Sequence, residues 1–283
     1  MPELPEVETV RQGLNQVTLD NKILGGDVLL PRTIAHPLSA ENFLAGLKGT
    51  AITEWHRRGK YLLASVIDGQ SASSAGWLGV HLRMTGQLLW VDQQQPLEKH
   101  TRVRLFFEGD RELRFVDQRT FGQMWWVPPG TPPEQVITGL QKLGLDPFSD
   151  DFSVEYLAKQ LNLRKRSIKT VLLDQAIVAG LGNIYADEAL FLSGIRPTTV
   201  ANNLTVEQIE RLRTAIIQVL EKSIAAGGTT FSNFLNVQGV NGNYGGIAWV
   251  YNRTSQPCRV CNTPILRLKL VGRSAHFCPQ CQN

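Results

Sequence analysis

The residues best placed to do chemistry in this 283-residue chain begin with its four cysteines, Cys258, Cys261, Cys278 and Cys281, all in the last 26 positions. Their order is C-x2-C, sixteen residues, C-x2-C. Two paired thiolates at each end of a short segment is the spacing of a structural four-cysteine zinc site. Two disulfides are the rival arrangement, and a reducing compartment opposes them. A nucleobase deaminase would also carry P-C-x2-C, but it needs an upstream H-x-E. None of His36, His56, His81, His100 and His276 is followed by that glutamate. The expected cofactor is therefore one structural zinc ion, with no catalytic metal and no organic cofactor. Between the cysteine pairs, "PILRLKLVGRSAHF" alternates as a β-hairpin with its turn near Gly272 and Arg273 at the tip. Zinc would brace a two-stranded unit that is marginal by itself. An arginine there suits a groove or a phosphate; a ribbon that only stabilises, with a solvated arginine, is the alternative.

The amino terminus, "MPELPEVETV", is the second unusual place. Pro5 at a first helical position, with Glu6 and Glu8 in the first turn, reads as a standard helix entry. Val7, Val10 and Leu14 supply an amphipathic stripe. Pro2 and Glu3 fall outside that helix and are unexplained by it. Basic residues cluster in "HRRGKYLL", with Lys60 opening a strand, and in "LRKRSIK", with Arg164, Lys165, Arg166 and Lys169 near a helix. Each cluster alone reads as a solvated face. In "AGLGNIYADEALF" glycines precede a helix start at Asn183, where exposed amides could take a phosphate; a tight interhelical turn is the plainer reading.

The elements that must carry these residues are ordinary for a globular chain. Hydrophobic residues make up 42%, charged residues 19%, and the formal net charge is +4, a mild basic excess. No apolar run reaches the ~18 residues of a membrane span, and the acidic start is not a secretory signal; the expected location is the cytosol. From about Lys22 to Val127 the runs "KYLLASVI", "WLGVHLRM", "QLLWV", "RVRLFF", "ELRFVD" and "QMWWV" read as strands. "DGQSASSAG" (68–76) reads as an inserted polar loop. "PPGTPP" (128–133) breaks the chain. Beyond it the apolar period becomes helical, with Val154, Leu157 and Leu161, then Ile168 and Leu172, then Ile209, Leu212, Ile216 and Leu220, until Gly227 and Gly228.

Taken together, "PELPEVET", "RRGKYLL", "HLRMTGQL", "DQRTFG", "GLGNIYADE", "GGTT" and the cysteine ribbon with "GRS" resemble, in this order and across essentially the whole chain, the bacterial formamidopyrimidine-DNA glycosylases. The resemblance implies an α+β fold: an N-terminal β-sandwich domain (1–130), a hinge (131–150), a helix–two-turn–helix domain (151–228), a lesion-covering loop (229–250) and a C-terminal zinc ribbon (251–283). It implies a bifunctional enzyme that excises oxidised purines such as 8-oxoguanine and formamidopyrimidines from damaged double-stranded DNA and then cleaves the strand. It also implies a monomer in the bacterial cytosol and nucleoid, with no membrane partner.

By the same resemblance, removal of Met1 would leave Pro2 as an N-terminal secondary amine, the nucleophile. Glu3 would be the acid/base, and Glu6 would orient the helix end. Lys60 would donate a proton in β-elimination, and Arg273 would serve δ-elimination and phosphate binding. Met84, Arg119 and Phe121 would fill the gap left by a flipped nucleotide, core packing being the plainer reading for Met84 and Phe121. His81, His100, Lys165 and Asn183 would contact the DNA backbone. An endonuclease VIII-type enzyme for oxidised pyrimidines shares the terminus but is less suited to "DQRTFG". A non-catalytic zinc-ribbon DNA-binding protein has no need of Pro2, Glu3 or Lys60.

Overall fold

In the computed structural model, which describes residues 1–229 and 235–283, the helix at the amino terminus, α1 (Leu4–Val17), starts one residue earlier than its proline signals. Pro5 is the second helical residue rather than the first, and Glu3 is the N-cap, so Glu3 is part of the helix entry after all. Leu4, Val7, Val10 and Leu14 are fully buried along one face, each contributing roughly 1.5–3 kcal/mol.

That face joins a core made by two sheets. β1 (Ile23–Val28), β7 (Thr101–Phe107), β8 (Arg111–Asp117) and β6 (Gly86–Asp92) form a four-stranded antiparallel sheet in that order. β2 (Ile34–His36), β9 (Gln123–Val127), β5 (Ser74–His81), β4 (Tyr61–Asp68) and β3 (Thr50–Arg58) form the other, antiparallel except where β2 runs parallel to β9. Val103, Leu105 and Phe115 of the first sheet and Ile52, Trp55, Leu62 and Val80 of the second belong to one buried cluster with α1. This is the expected β-sandwich. The strands expected from alternation all form.

Two local features differ from expectation. Within the strand-rich span lies a helix, α2 (Ala40–Leu47), capped by Ser39, whose hydroxyl accepts from Asn42 N–H at 3.2 Å. Its Phe43 and Leu47 enter the same core. The 68–76 stretch is not a free insertion. β4 runs to Asp68 and β5 starts at Ser74, and Asp68 Oδ1 accepts from the backbone of Gln70 and Ser71 at 2.9 and 2.8 Å. It is a short hairpin turn closed by its own aspartate.

The chain divides into two compact units. The sandwich unit comprises Met1–Gln141, including the short α3 (Pro133–Val136), with Gly227–Gly242. The second comprises Lys142–Ala226 with Asn243–Asn283. It holds α4 (Val154–Asn162), α5 (Ile168–Leu172), α6 (Asn183–Leu192), α7 (Val206–Ala225) and the hairpin β10 (Leu266–Leu270) and β11 (Arg273–Phe277). α7 begins with a Thr205–Gln208 capping box and stops ahead of Gly227, which has φ +73°. Among the described residues no helix is long and apolar enough to cross a membrane.

Candidate active site and nucleic-acid interface

The start of α1 is built around Glu6. Its Oε2 accepts from Glu3 N–H at 2.8 Å and its Oε1 from Thr229 N–H at 2.9 Å. The Glu3 side chain completes a capping box with the Glu6 backbone. Pro2, Glu3 and Glu6 are all buried. Burial lowers the pKa of the terminal amino group, here on Met1; Glu3 and Glu6 oppose that shift, and Lys60 and Arg119 add to it. The terminus therefore sits within electrostatic reach of both candidate acids and both candidate cations.

Lys60 is buried in the tight β3–β4 turn, where Gly59 has φ +57°. Its neighbour Tyr61 packs edge-on against His81, with ring centroids 4.5 Å apart. His81 is buried, and its pKa falls to about 3, through burial first and then through Arg83 and Lys60. Its Nδ1 lies 3.0 Å from the Arg83 N–H. A neutral ring accepting there carries its proton on Nε2, so His81 can offer a phosphate a hydrogen bond but no charge.

Met84, Arg119 and Phe121 come from two turns that Asp117 ties together. Asp117 accepts from the Thr85 hydroxyl and, at 2.7 Å, from Gly122 N–H. Thr85 in turn accepts from Arg119 N–H at 3.0 Å. Gly122 has no space for a side chain, because a Cβ would stand 2.4 Å from Phe115. Phe121 is thereby held out, 53% exposed, with the Arg119 guanidinium 5.0 Å from its ring centroid. It is not core. Met84 is half-buried. A cavity of about 380 Å³ is lined by Met1, Pro2, Met84, His100 and Arg119 among others. The sandwich unit thus brings Pro2, Met84, His100 and Arg119 to one concavity.

In the second unit α6 starts at Asn183, as the glycines before it imply, and Asn183 Nδ2 lies 3.4 Å from Ser274 Oγ. Lys165 and Arg273 are exposed. Arg273 pairs with Leu270 across a turn containing Gly272 at φ +81°, and it lines a 270 Å³ cavity with Arg166, Thr170 and Asp174. Lys169 departs from the solvated reading. It is 1% exposed, and its Nζ donates to Asp187 Oδ1 at 2.6 Å and to the Ser274 carbonyl. Asp187 Oδ2 also accepts from His276 N–H at 2.9 Å. A buried pair on α5 and α6 therefore fixes the β11 backbone beside Arg273. Glu188, fully buried, accepts from the N–H groups of Trp249, Val250 and Tyr251 and from the Tyr244 hydroxyl, fixing the chain that leads to the ribbon. Burial pushes its carboxyl pKa up against those three donors.

The four cysteine sulfurs lie within 4.8 Å of one another. Cys261 and Cys278 are 3.4 Å apart and Cys258 and Cys281 3.9 Å, so neither pair is bonded as a disulfide. Tetrahedral Zn–S bonds of about 2.3 Å place sulfurs about 3.8 Å apart. N–H groups of Val260 and Cys281 point at Cys258 and Cys278 sulfur, as suits thiolates. The donor set fits zinc, whose contribution when bound is to cross-link the two ends of the ribbon.

Sequence reasoning singled out neither Asp117 nor the Lys169–Asp187 pair. Asp117 heads "DQRTFG", but its bond to Gly122 N–H spans five residues, beyond the short Asx turn that a sequence announces. Nothing local distinguishes Lys169 from its solvated neighbours, since its partners lie on α6 and β11.

Three family models match the chain. The formamidopyrimidine-DNA glycosylase N-terminal domain matches residues 1–124, the H2TH domain of the same enzymes 143–234, and a zinc finger found in FPG and IleRS 255–283. A protein of Nostoc sp. (strain PCC 7120 / SAG 25.82 / UTEX 2576), named formamidopyrimidine-DNA glycosylase, is 70% identical over all of both chains. One of Trichodesmium erythraeum with the same name is 65% identical, again over all of both. Among solved structures, Lactococcus lactis Fpg in complex with abasic-site DNA superposes with a TM-score of 0.88 at 34% identity, covering 99% of each chain. MutM (Fpg) from Thermus thermophilus gives 0.86 at 36%, covering 99% of this chain and 98% of that one.

Proposed function

The chain belongs to the formamidopyrimidine-DNA glycosylase family, and from that premise we propose that Pro2, freed by loss of Met1, is the group through which this base-excision repair enzyme removes oxidised purines from duplex DNA. The carrying observation is the convergence of Pro2, Met84, His100 and Arg119 on one cavity of the sandwich unit, at a terminus where the Met1 amine feels Glu3, Glu6, Lys60 and Arg119.

A neutral secondary amine has a lone pair for C1′ of the sugar. Attack forms the N–C1′ bond, and the C1′–base bond breaks with its electron pair leaving on the base. Glu3 manages the proton traffic at the ring and leaving group. The amine gives up its proton, and the C1′–O4′ bond opens as Glu3 protonates O4′, leaving a C1′ iminium that is positive without needing a proton and so acidifies C2′–H. Loss of that proton and departure of the 3′ phosphate is β-elimination, with Lys60 donating. A second elimination releases the 5′ phosphate, assisted by Arg273. Glu6 acts through the Glu3 backbone as a positioning residue.

The lesion must leave the stack before this chemistry. Met84, Arg119 and Phe121 fill the space it vacates, and the exposure of Phe121 on a braced turn supports that role. His81, His100, Lys165 and Asn183 hold the backbone, His81 as a neutral donor. The lesion-covering role given to 229–250 falls partly on residues 230–234, which lie outside the described residues. The protein works as a monomer in the bacterial cytosol and nucleoid.

Nicking assays on duplexes carrying 8-oxoguanine or an oxidised thymine test the reading. Preference for the purine lesion, lost when the leading amine is acetylated, is expected. Preference for the oxidised thymine would favour the endonuclease VIII-type activity, and binding without nicking of either would leave a plain DNA-binding protein.

A further inference from the structure

A second cavity of the sandwich unit, about 470 Å³, shares Met1 and Met84 with the one at Pro2. Phe121 borders this second cavity, and Arg32 and Arg83 line it, with no aspartate or glutamate among its walls.

These arginines differ from four others in the unit. Arg11 and Arg57 are paired to Glu8, and Arg104 and Arg114 share Glu112, so their charges are largely cancelled within the fold. Among the described residues neither Arg32 nor Arg83 forms an ion pair. Each is oriented by a neutral acceptor instead. Arg32 donates to the Thr120 hydroxyl, and Arg83 donates to Gln123 Oε1 at 3.0 Å. A neutral acceptor fixes the guanidinium plane and leaves its charge for an anion. Both acceptors flank Phe121 in sequence, which places the two cations beside that ring. Arg83 and Thr120 also hold φ at +54° and +59°, a left-handed backbone that persists only where the surroundings enforce it.

We propose that this cavity seats a backbone phosphate of the strand opposite the lesion, with Arg32 and Arg83 as its cationic ligands. The inference rests on the functional reading above, in which Met84 and Phe121 enter the duplex at the lesion. A wedge filling that gap has the damaged strand on its Pro2 side and the complementary strand on its other side. With Met1, Met84 is a wall common to both cavities, and Phe121 lines the one that holds the arginines.

The test is equilibrium binding of the Arg32→Gln, Arg83→Gln double variant to DNA carrying an uncleavable abasic analogue, from 50 to 200 mM KCl, as a duplex and as the single damaged strand. One lost phosphate contact makes the duplex salt slope shallower by roughly 0.9, so the parent's advantage shrinks about 3.5-fold across that range. The single-strand slope should match the parent's. The Arg32→Lys, Arg83→Lys variant should restore the duplex slope, which separates lost charge from a damaged fold. Neutral methylphosphonates in the complementary strand should erase the difference between parent and variant. An unchanged duplex slope, or an equal change on the single strand, overturns the proposal; the second outcome assigns the pair to the damaged strand. Should the parent form no borohydride-trapped adduct with lesion DNA, the functional reading fails first and takes this one with it.

Discussion

Replacing Glu6 by glutamine changes little in shape but much in hydrogen bonding. The two carboxylate oxygens each accept one backbone N–H, from Glu3 at 2.8 Å and Thr229 at 2.9 Å, and the side chain is 1% exposed. Glutamine keeps one acceptor and turns an NH2 toward the other N–H. One charge-assisted bond is lost, the second is weakened, and donors face each other without water. Bonds to charged groups contribute about 1.5–3 kcal/mol and a stranded buried donor costs about 1–3, so the net loss is roughly 2–4 kcal/mol. For a unit of this size that lowers Tm by roughly 4–16 °C, which thermal unfolding resolves. Because the Glu3 backbone is one of the two partners, single-turnover excision should slow by more than DNA affinity falls. A Glu6→Gln protein with parental Tm and parental single-turnover rate would refute the bridging role. One with lowered Tm and an unchanged rate would reduce Glu6 to a structural cap.

The lowered His81 pKa makes stability fall with acid. Unfolded His81 takes up a proton below about 6.5 and the folded residue only near 3, so stability is full above 6.5 and declines by at most about 1.4 kcal/mol per pH unit between those values. A His81→Asn variant should show a flatter Tm-versus-pH curve over that interval. Phe121→Ala should leave Tm nearly parental, since the ring is 53% exposed, while slowing excision from duplex DNA much more than cleavage of a preformed abasic site. Chelation that strips the zinc should disorder the β10–β11 hairpin and abolish tight DNA binding while the sandwich unit still unfolds in its own transition, as calorimetry would show. Lesion-duplex affinity should fall with salt at a slope near −4.5 if about five phosphates are neutralised.

What the sequence made legible follows from range. The strands of the sandwich announce themselves because alternation is local, and the cysteine spacing carries its own chemistry. α2 did not stand out, because an eight-residue helix with two core residues is a weak signal among strands. Pro5 marked the helix entry but not its cap, since the role of Glu3 depends on reciprocal bonds with Glu6. The exposure of Phe121 depends on Asp117 and Thr85, from two different turns. Lys169 looked like its solvated neighbours because burial was decided by Asp187 and Ser274, 18 and 105 residues away. Long-range partners, more than residue type, separate structural charges from those left for DNA.

Borohydride reduction during turnover of an 8-oxoguanine duplex, followed by peptide mapping, identifies the nitrogen that attacks C1′. A reduced deoxyribose remnant is expected on the nitrogen of Pro2 in chains that have lost Met1. A remnant on Lys60, or efficient strand cleavage with no adduct at all, would contradict it.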